Sequence, residues 1–388
     1  MKCVEVLDSK GWQLFHSVPF LIYAKDKQWI SHLQGDVQDV FNPQKNPIAS
    51  HGESRIFVLL DNQGKPIGRI AAFIDHEANS HLEYPIGGIG FFECIENNEA
   101  ANLLFETAEN WLREKGMQAV DGPVNFGGRD KYWGLLIKGF YPPLFQENYN
   151  PSYYASFFES NKYIAWEQIL TIKGDLNDLD VSRLRAVCDR IRQSNEVVVE
   201  LYDPKKKDKY AEDFCEIFNA AFGRFEHFKP AEPKKIKAIL EESKLILDPL
   251  LLAICYINGQ PAAFCATFPD INPLLKSARG KLSWWKIPGL IFRLKTAKKL
   301  FIKGTGFAIH PDFKTKGAFA LIIEFMASPA LSQKYQYYFL TTVRAHNREA
   351  VSLYFKAGKM QVDRVHIGYR KALQPNIEVV PNEFMEVQ

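Results

Sequence analysis

The same order of elements is predicted twice along this 388-residue chain, and the repetition constrains the fold more strongly than any single motif. In the first half, a hairpin over 55–75 precedes a glycine-rich strand at 88–91 (GIGF). In the second half, a hairpin over 250–268, with Asn-Gly at its turn, precedes a matching strand at 304–307 (GTGF). A helix, a strand, a second helix and a final strand follow in both halves. The pattern therefore predicts an internal duplication.

The length of the chain predicts two globular domains. A chain this long exceeds one ordinary hydrophobic core, and a polar segment at 173–180 separates the two repeats. We therefore expect one domain at 1–175 and another at 176–388. Each half is expected to be α/β (α+β), with helices flanking a mixed, mainly antiparallel sheet. A helix is also predicted near 12–29, and a long loop rich in glycine, proline and aromatic residues near 126–150.

Several classes of function are disfavoured by the composition. The formal net charge is only +3, which does not predict a nucleic-acid partner. Six scattered cysteines and nine dispersed histidines give no metal-ligand spacing, so no metal site is expected. Neither a Walker loop nor a nucleophile elbow is present. The lack of a signal-like core and of a transmembrane-length apolar run predicts a cytoplasmic protein.

Two segments of the second half carry the features that indicate chemistry. The segment 314–319 (KTKGAF) is a polar loop with one glycine that leads directly into an apolar helix. The segment 347–360 (NREAVSLYFKAGKM) begins with an asparagine suited to cap a helix, and Gly358 lies near that helix's end. One predicted helix and one predicted strand separate the two segments.

These segments resemble the GNAT superfamily of acyl-CoA-dependent N-acyltransferases. The family's late motif, N-x-x-A-x-x-L-Y-x-K-x-G, is matched from Asn347 through Tyr354 to Gly358. Its pyrophosphate loop, [QR]-x-x-G-x-[GA], is matched at Gly317, whereas the flanking residues Lys314 and Phe319 depart from it. The two-half layout is also similar to a bacterial group of two-domain GNAT-like proteins. The resemblance implies a duplicated GNAT-type fold.

The resemblance also implies roles for individual residues. Tyr354 would be the general acid that protonates the departing thiolate, and Asn347 would contact the cofactor. The strand and the loop would hold the pantetheine arm and the pyrophosphate of acetyl-CoA or another acyl-CoA, through Phe307, Ala308, Ile309, Lys314, Lys316, Gly317 and Ala318.

Physical chemistry agrees with these roles and leaves alternatives open. Backbone N–H groups at a helix N-terminus bind phosphate well, and Gly317 permits close approach of the backbone. The bulky Phe319 stands where the family keeps a small residue, which predicts a narrower site. Tyr354 also fits a core tyrosine on an apolar helix face, and the two lysines also fit a solvated loop.

The first half is not predicted to hold an equivalent site. Its corresponding loop has no glycine, and Glu96 and Glu99 would compete with phosphate for the helix N-terminus. In its late helix, Phe157-Phe158 stands where Leu353-Tyr354 stands in the second half. This half is expected to be structural or to shape a substrate pocket.

Substrate-contacting residues are predicted only weakly. Asn125 and Arg129 lie in the long loop, where Gly127-Gly128 would let Arg129 approach an anionic group. The alternative is a loop packed over the domain seam by its aromatic side chains. Asp270 lies on the expected acceptor side and is a candidate to deprotonate an amine, or an ordinary turn residue.

A basic insertion at 272–303 interrupts the second half. Nine cations and no acidic residue occur between Asp270 and Asp312, interleaved with tryptophan, phenylalanine and aliphatic residues. Three interpretations compete: a solvated helix packed by its apolar face, a contact of 276–303 with acidic lipid or an anionic ligand, and RNA binding. Nucleic acid is the least expected of these.

The sequence therefore favours an enzyme that transfers an acyl group, expected to be acetyl, from CoA to an amine of a small molecule or peptide. Direct transfer is expected because no cysteine nucleophile lies near the motif. One alternative is a non-catalytic scaffold that binds acyl-CoA or another anion, suggested by Lys314 and Phe319. Another is an aminoacyl or lipid transferase of the two-domain GNAT-like type.

Overall fold

The computed structural model describes residues 1–179, 181–223 and 230–387, and within them thirteen strands form one continuous sheet. The strands are β1 (Lys2–Glu5), β2 (Gly52–Leu60), β3 (Pro66–Asp75), β4 (Ile86–Cys94), β5 (Ala119–Gly122), β6 (Leu135–Lys138), β7 (Ile164–Asp175), β8 (Val197–Leu201), β9 (Leu252–Ile257), β10 (Gln260–Pro269), β11 (Leu300–Ile309), β12 (Tyr335–Arg344) and β13 (Gln361–Ala372).

The predicted hairpin turns are confirmed in atomic detail. Between β2 and β3, the Asp61 carboxylate accepts hydrogen bonds from the backbone N–H groups of Gln63 and Lys65. Between β9 and β10, Asn258 and Gly259 both have positive φ angles, +53° and +75°, as the tight two-residue turn requires. Local sequence therefore fixes both hairpins.

The order of the strands shows the duplication directly. The sheet runs β1-β2-β3-β4-β5-β13-β7-β12-β11-β10-β9-β8, and β6 pairs separately with β13. In the first half β1 to β4 are antiparallel and β5 joins β4 in parallel. In the second half β8 to β11 are antiparallel and β12 joins β11 in parallel. The predicted fold class, with mainly antiparallel pairing in each half, is confirmed.

The final strands of the two halves are exchanged. The last strand of the chain, β13, pairs with β5 of the first half, and β7 of the first half pairs with β12 of the second. The two exchanged strands also pair with each other, from Gln361↔Lys173 to Arg370↔Ile164. Each half of the sheet is therefore completed by a strand from the other half.

Helices cover both faces of the sheet. One face packs against α5, α6, α7, α12 and α14, and the other against α1, α8 and α9. The helices are α1 (Ser9–Ile22), α2 (Gln34–Asp39), α3 (Pro47–His51), α4 (His76–Asn79), α5 (Asn98–Glu114), α6 (Tyr154–Ser160), α7 (Val181–Ser194), α8 (Lys207–Phe222), α9 (Pro233–Ser243), α10 (Asn272–Leu275), α11 (Ile287–Thr296), α12 (Ala318–Met326), α13 (Pro329–Ser332) and α14 (Arg348–Ala357). In the described ranges, no helix is both long and apolar enough to cross a membrane.

Two local predictions differ from the structure. The helix predicted near 12–29 is α1, which begins at Ser9 behind its cap Asp8 and ends at Ile22. The loop predicted near 126–150 contains the short strand β6, whose residues Leu135 and Leu136 pair with Ile367 and His366 of β13. The partner strand lies far away in sequence, so local pattern carries no sign of this pairing.

Candidate acyl-CoA site

A gap opens between β11 and β12. The two strands pair in parallel from Leu300↔Tyr335 to Gly304↔Leu340, where their pairing stops. Beyond that point β11 stays paired with β10, and β12 stays paired with β7. Gly306 to Ile309 therefore present a backbone edge toward the gap that has no strand partner among the described residues, and the predicted Phe307, Ala308 and Ile309 lie on this edge.

The loop before α12 has the geometry of an anion site. Gly317 is the N-cap of α12 and has a φ of +80°, a left-handed conformation that disfavours residues with a side chain. A Cβ atom at Gly317 would also lie 2.7 Å from Cδ1 of Ile191 in α7. Lys314 and Lys316 are exposed beside the helix N-terminus. The N–H groups of Ala318 and Phe319 have no acceptor within the helix, whereas Ala320 N donates to Gly317 O at 2.9 Å. A phosphate would find backbone donors, positive charge and the helix dipole together there.

Helix α14 places the predicted acid beside the same gap. The side-chain oxygen of Asn347 accepts a hydrogen bond from Ala350 N at 3.3 Å, so this asparagine is a cap. Tyr354 is half-buried, and its hydroxyl has no hydrogen-bond partner within the described residues. Burial raises the pKa of Tyr354 above the ordinary tyrosine value, so its hydroxyl stays protonated at neutral pH.

Side chains fill most of the space beside the gap and leave only a small apolar cavity. Phe307, Phe319 and Tyr354 meet around a space of about 20 Å³, which Tyr338 and Met360 also line. Phe319 therefore points into the space between α12, α14 and the two diverging strands. The residues present fit a pyrophosphate at the helix N-terminus, and Phe319 leaves little free space in the cavity that it lines.

The equivalent gap in the first half is filled by its own chain. Asn97 caps α5, and its side-chain oxygen accepts from Ala100 N at 2.9 Å. Val124 N donates to the Ile89 carbonyl at 2.8 Å across the point where β4 and β5 separate. Phe158, at the position that corresponds to Tyr354, is fully buried. That this half lacks a cofactor site stays a prediction.

The predicted substrate residues Asn125 and Arg129 both line an open groove of about 1030 Å³, to which residues of both halves contribute. Asn125 is buried, and its Nδ2 donates to Gly128 O, while its Oδ1 has no partner in the described part of the chain. Arg129 pairs with Glu167, and its guanidinium lies 4.6 Å from the centroid of the Trp133 ring. Glu167 also pairs with Arg344, the last residue of β12, at 3.4 Å, so Arg129 lies near the end of β12.

The carboxylate of Asp270, the candidate base, is hydrogen-bonded to backbone N–H groups of the protein. It accepts hydrogen bonds from Phe145 N at 2.8 Å and from Asn272 N at 3.2 Å. Burial raises its pKa to about 6. Lys303 donates to the Phe145 carbonyl at 2.6 Å, so Asp270 and Lys303 together hold Phe145 of the long loop over the sheet.

Lys303 is the last cation of the basic insertion in the sequence, but its ammonium group is buried and not part of an exposed basic surface. It lies on β11, and burial lowers its pKa. With Trp133, Thr341 and Thr342 it lines a second cavity of about 20 Å³ beside the point where β11 and β12 separate.

A buried ionic group next to that cavity was missed by sequence. Glu147 accepts hydrogen bonds from Arg364, from Thr171 Oγ1 at 2.7 Å and from Leu144 N at 3.0 Å. Burial opposes ionisation of Glu147, but Arg364, His366 and these hydrogen bonds outweigh it and lower its pKa to about 2. Glu147 and Arg364 are 217 residues apart in sequence, so no local pattern could have predicted this pair.

Solved structures identify the class of fold. A GCN5-related N-acetyltransferase from Sphaerobacter thermophilus matches with a TM-score of 0.52 at 12% identity, covering 97% of both chains. A tandem GNAT protein from the clavulanic acid biosynthesis pathway matches with a TM-score of 0.54 at 9% identity, covering 97% of this chain and 99% of that one. This chain therefore has a tandem GNAT-like fold, as the resemblance of its motifs predicts.

Curated relatives are similar in sequence over about three quarters of the chain, among them Protein YghO of Escherichia coli, 25% identical over 293 residues. The bacterial ceramide synthase of Caulobacter vibrioides is 28% identical over 284 residues, which cover 72% of this chain and 73% of that protein. No protein-family model matches the chain.

Proposed function

We propose that this protein is an N-acyltransferase that moves a fatty acyl group from acyl-CoA to the amine of a long-chain acceptor. The gap between β11 and β12 is the observation that carries the proposal. In its support, Phe307 of the unpaired strand edge, Phe319 of the first turn of α12 and Tyr354 of α14 line one cavity. The GNAT-like fold makes acyl transfer the reaction class that such a gap supports best.

The residues around the gap would have separate roles in binding acyl-CoA and in proton transfer. Acyl-CoA would supply an activated thioester carbonyl and a sulfur leaving group. The edge at 306–309 would bind the pantetheine arm as an added strand does, and Lys314 and Lys316 would offset the charge of the pyrophosphate. As the amine forms the new C–N bond and the C–S bond breaks, Tyr354 would give its hydroxyl proton to the sulfur. The nitrogen would lose a proton to water, and Tyr354 would regain one from solvent.

The relative's name favours long-chain substrates over the acetyl group expected from the sequence. A ceramide synthase joins a fatty acyl group to the amine of a long-chain base, so both of its substrates are lipids. The similarity to that protein spans nearly three quarters of the chain. The acceptor class, a long-chain amine, and the donor class, a fatty acyl-CoA, both rest on this similarity.

A non-catalytic scaffold is the second candidate. The observation in its favour is the side chain of Phe319, which leaves only about 20 Å³ of free space where the arm of the cofactor would pass. A protein of this kind would bind a phosphate-bearing ligand at the start of α12 without turnover.

One experiment separates the two candidates. The purified chain is incubated with acyl-CoAs from acetyl to palmitoyl and with sphinganine, and both free thiol release and the mass of the amide product are followed. Thermal shift is measured on the same ligands, because a ligand that binds the folded state raises the melting temperature. Amide formation with long acyl chains is expected. Binding without amide would favour the scaffold, and neither binding nor amide would refute the proposal.

A further inference from the structure

The basic insertion has one face attached to the protein. It begins with α10 and continues through a 3₁₀ turn at Trp284–Lys286 into α11. Leu290 and Leu294 of α11 pack against Ile271 and Leu275 at the base of the insertion. This contact fixes the orientation of α11, so its opposite face must point away from the protein.

The opposite face is apolar and exposed. Trp285 and Phe292 lie seven residues apart and share this face of the helical segment. Trp284, Trp285 and Phe292 are 77%, 63% and 68% exposed, among the most exposed large hydrophobic side chains of the described residues. A soluble surface rarely exposes three large aromatic side chains together unless they contact a partner.

Cations surround the aromatic face, and they lack acidic partners. Lys286 and Arg293 lie on one side of the Trp285–Phe292 line and Lys295 on the other, as helical spacing places them. No carboxylate in the described ranges pairs with any of the six exposed cations of this part of the insertion, which are Lys281, Lys286, Arg293, Lys295, Lys298 and Lys299. The surface therefore combines unpaired positive charge with aromatic side chains.

We infer that this face, Trp284 to Lys299, docks the protein onto an anionic lipid bilayer. Aromatic side chains favour the region between lipid headgroups and acyl chains, and flanking lysines and arginines are attracted to anionic headgroups. A second copy of the chain is a poor occupant, since a symmetric contact would bring two sets of these cations together. The face is a single convex helix rather than a groove, which disfavours a nucleic-acid strand.

The docking surface is tied to the long loop beside the candidate site. Asn272 Nδ2 at the base of the insertion donates to Pro143 O at 2.6 Å, and Phe145 packs in the same apolar cluster as Leu290. Docking would therefore hold the protein so that this loop lies close to the lipid surface. The inference stands apart from the proposed acyl transfer, because membrane binding needs neither acyl-CoA nor turnover.

The test is flotation of the full chain with vesicles of phosphatidylcholine alone or mixed with phosphatidylglycerol. Three variants are compared with the parent chain: one with Trp284→Ala, Trp285→Ala and Phe292→Ala together, one with Lys295→Gln, Lys298→Gln and Lys299→Gln together, and a matched control. The control replaces exposed side chains elsewhere, Leu7→Ala, Leu245→Ala and Val380→Ala, which are 81%, 51% and 74% exposed.

The parent chain and the control are expected to bind the anionic vesicles, and the aromatic and lysine variants to lose about tenfold or more of that partitioning. Vesicles with brominated acyl chains should quench tryptophan fluorescence in the parent and not in the aromatic variant. Equal binding by all four proteins, no binding to anionic vesicles, or binding to RNA in their place would overturn the inference. So would a dimer that the aromatic variant abolishes while vesicle binding stays undetectable.

Discussion

Replacing Tyr354 with phenylalanine tests the proposed acid directly. The Tyr354 hydroxyl has no hydrogen-bond partner among the described residues, so its removal breaks no internal bond. The free energy of unfolding should therefore change by less than about 0.5 kcal/mol. The affinity for CoA should also stay within about twofold, because the tyrosine would act only on the sulfur as it departs.

Turnover should fall steeply in the same variant. A positioned general acid contributes about 10²-fold or more to the rate, so the loss of Tyr354 should raise the barrier by about 3 kcal/mol. The assay is steady-state release of free CoA thiol, with kcat and KM determined separately. The expected result is a lower kcat at an almost unchanged KM.

A second tyrosine provides the control. Tyr335 is buried, and its hydroxyl donates to the Asp248 carboxylate at 2.6 Å, so Tyr335→Phe should cost about 1–3 kcal/mol of stability and leave kcat unchanged. Unchanged turnover in Tyr354→Phe would remove this residue from the mechanism. A loss of CoA binding equal to the loss of turnover would instead assign it to ligand binding.

Further predictions concern the loop and the buried ionic group. Phe319→Ala should increase the affinity for CoA measured by calorimetry, because the side chain that closes the cavity is removed; weaker binding would contradict this. Since Phe319 is only partly buried, the cost in stability should be about 3 kcal/mol, the low end for a buried phenylalanine. Gly317→Ala should lose about 1–2 kcal/mol in urea denaturation, since its φ is +80° and its Cβ would contact Ile191; unaltered stability would count against that geometry. The pKa of Glu147 is lowered to about 2, so its contribution, up to about 3 kcal/mol, should be present above about pH 4.5 and be lost as the pH falls from there toward 2. Glu147→Gln should remove this pH dependence.

The fold could be predicted wherever a local pattern decides the structure. The Asn258-Gly259 turn needs positive φ angles that these residues supply, and the apolar periodicity of α5 marks a helix packed on the sheet. No local sequence pattern predicted the exchange of β7 and β13. It depends on pairing between strands far apart in sequence, and either strand alone fits the end of its own half equally well.

In the candidate site, too, the residues in local motifs could be predicted, and the contacts between distant residues could not. Gly317 and Tyr354 stand in motifs whose spacing is local: Gly317 caps α12, and Tyr354 lines the cavity beside the gap. Lys303 looks like one member of a basic run, yet its partner is the Phe145 carbonyl, which only the folded chain brings close. Asn125 and Arg129 are neighbours in sequence and in space, but the groove that they line depends on residues from several elements.

Because of the exchange, some strands are synthesised long before the strands with which they pair. When β5 leaves the ribosome, its partner strand β13 has not yet been synthesised. Likewise, β7 is synthesised well before its partner β12. The first half would therefore hold unpaired edges at β5 and β7 while most of the second half is synthesised. Exposed edges invite association with other chains, and pairing between distant strands is slow. We expect the newly made chain to depend on protection by chaperones until β13 has been synthesised.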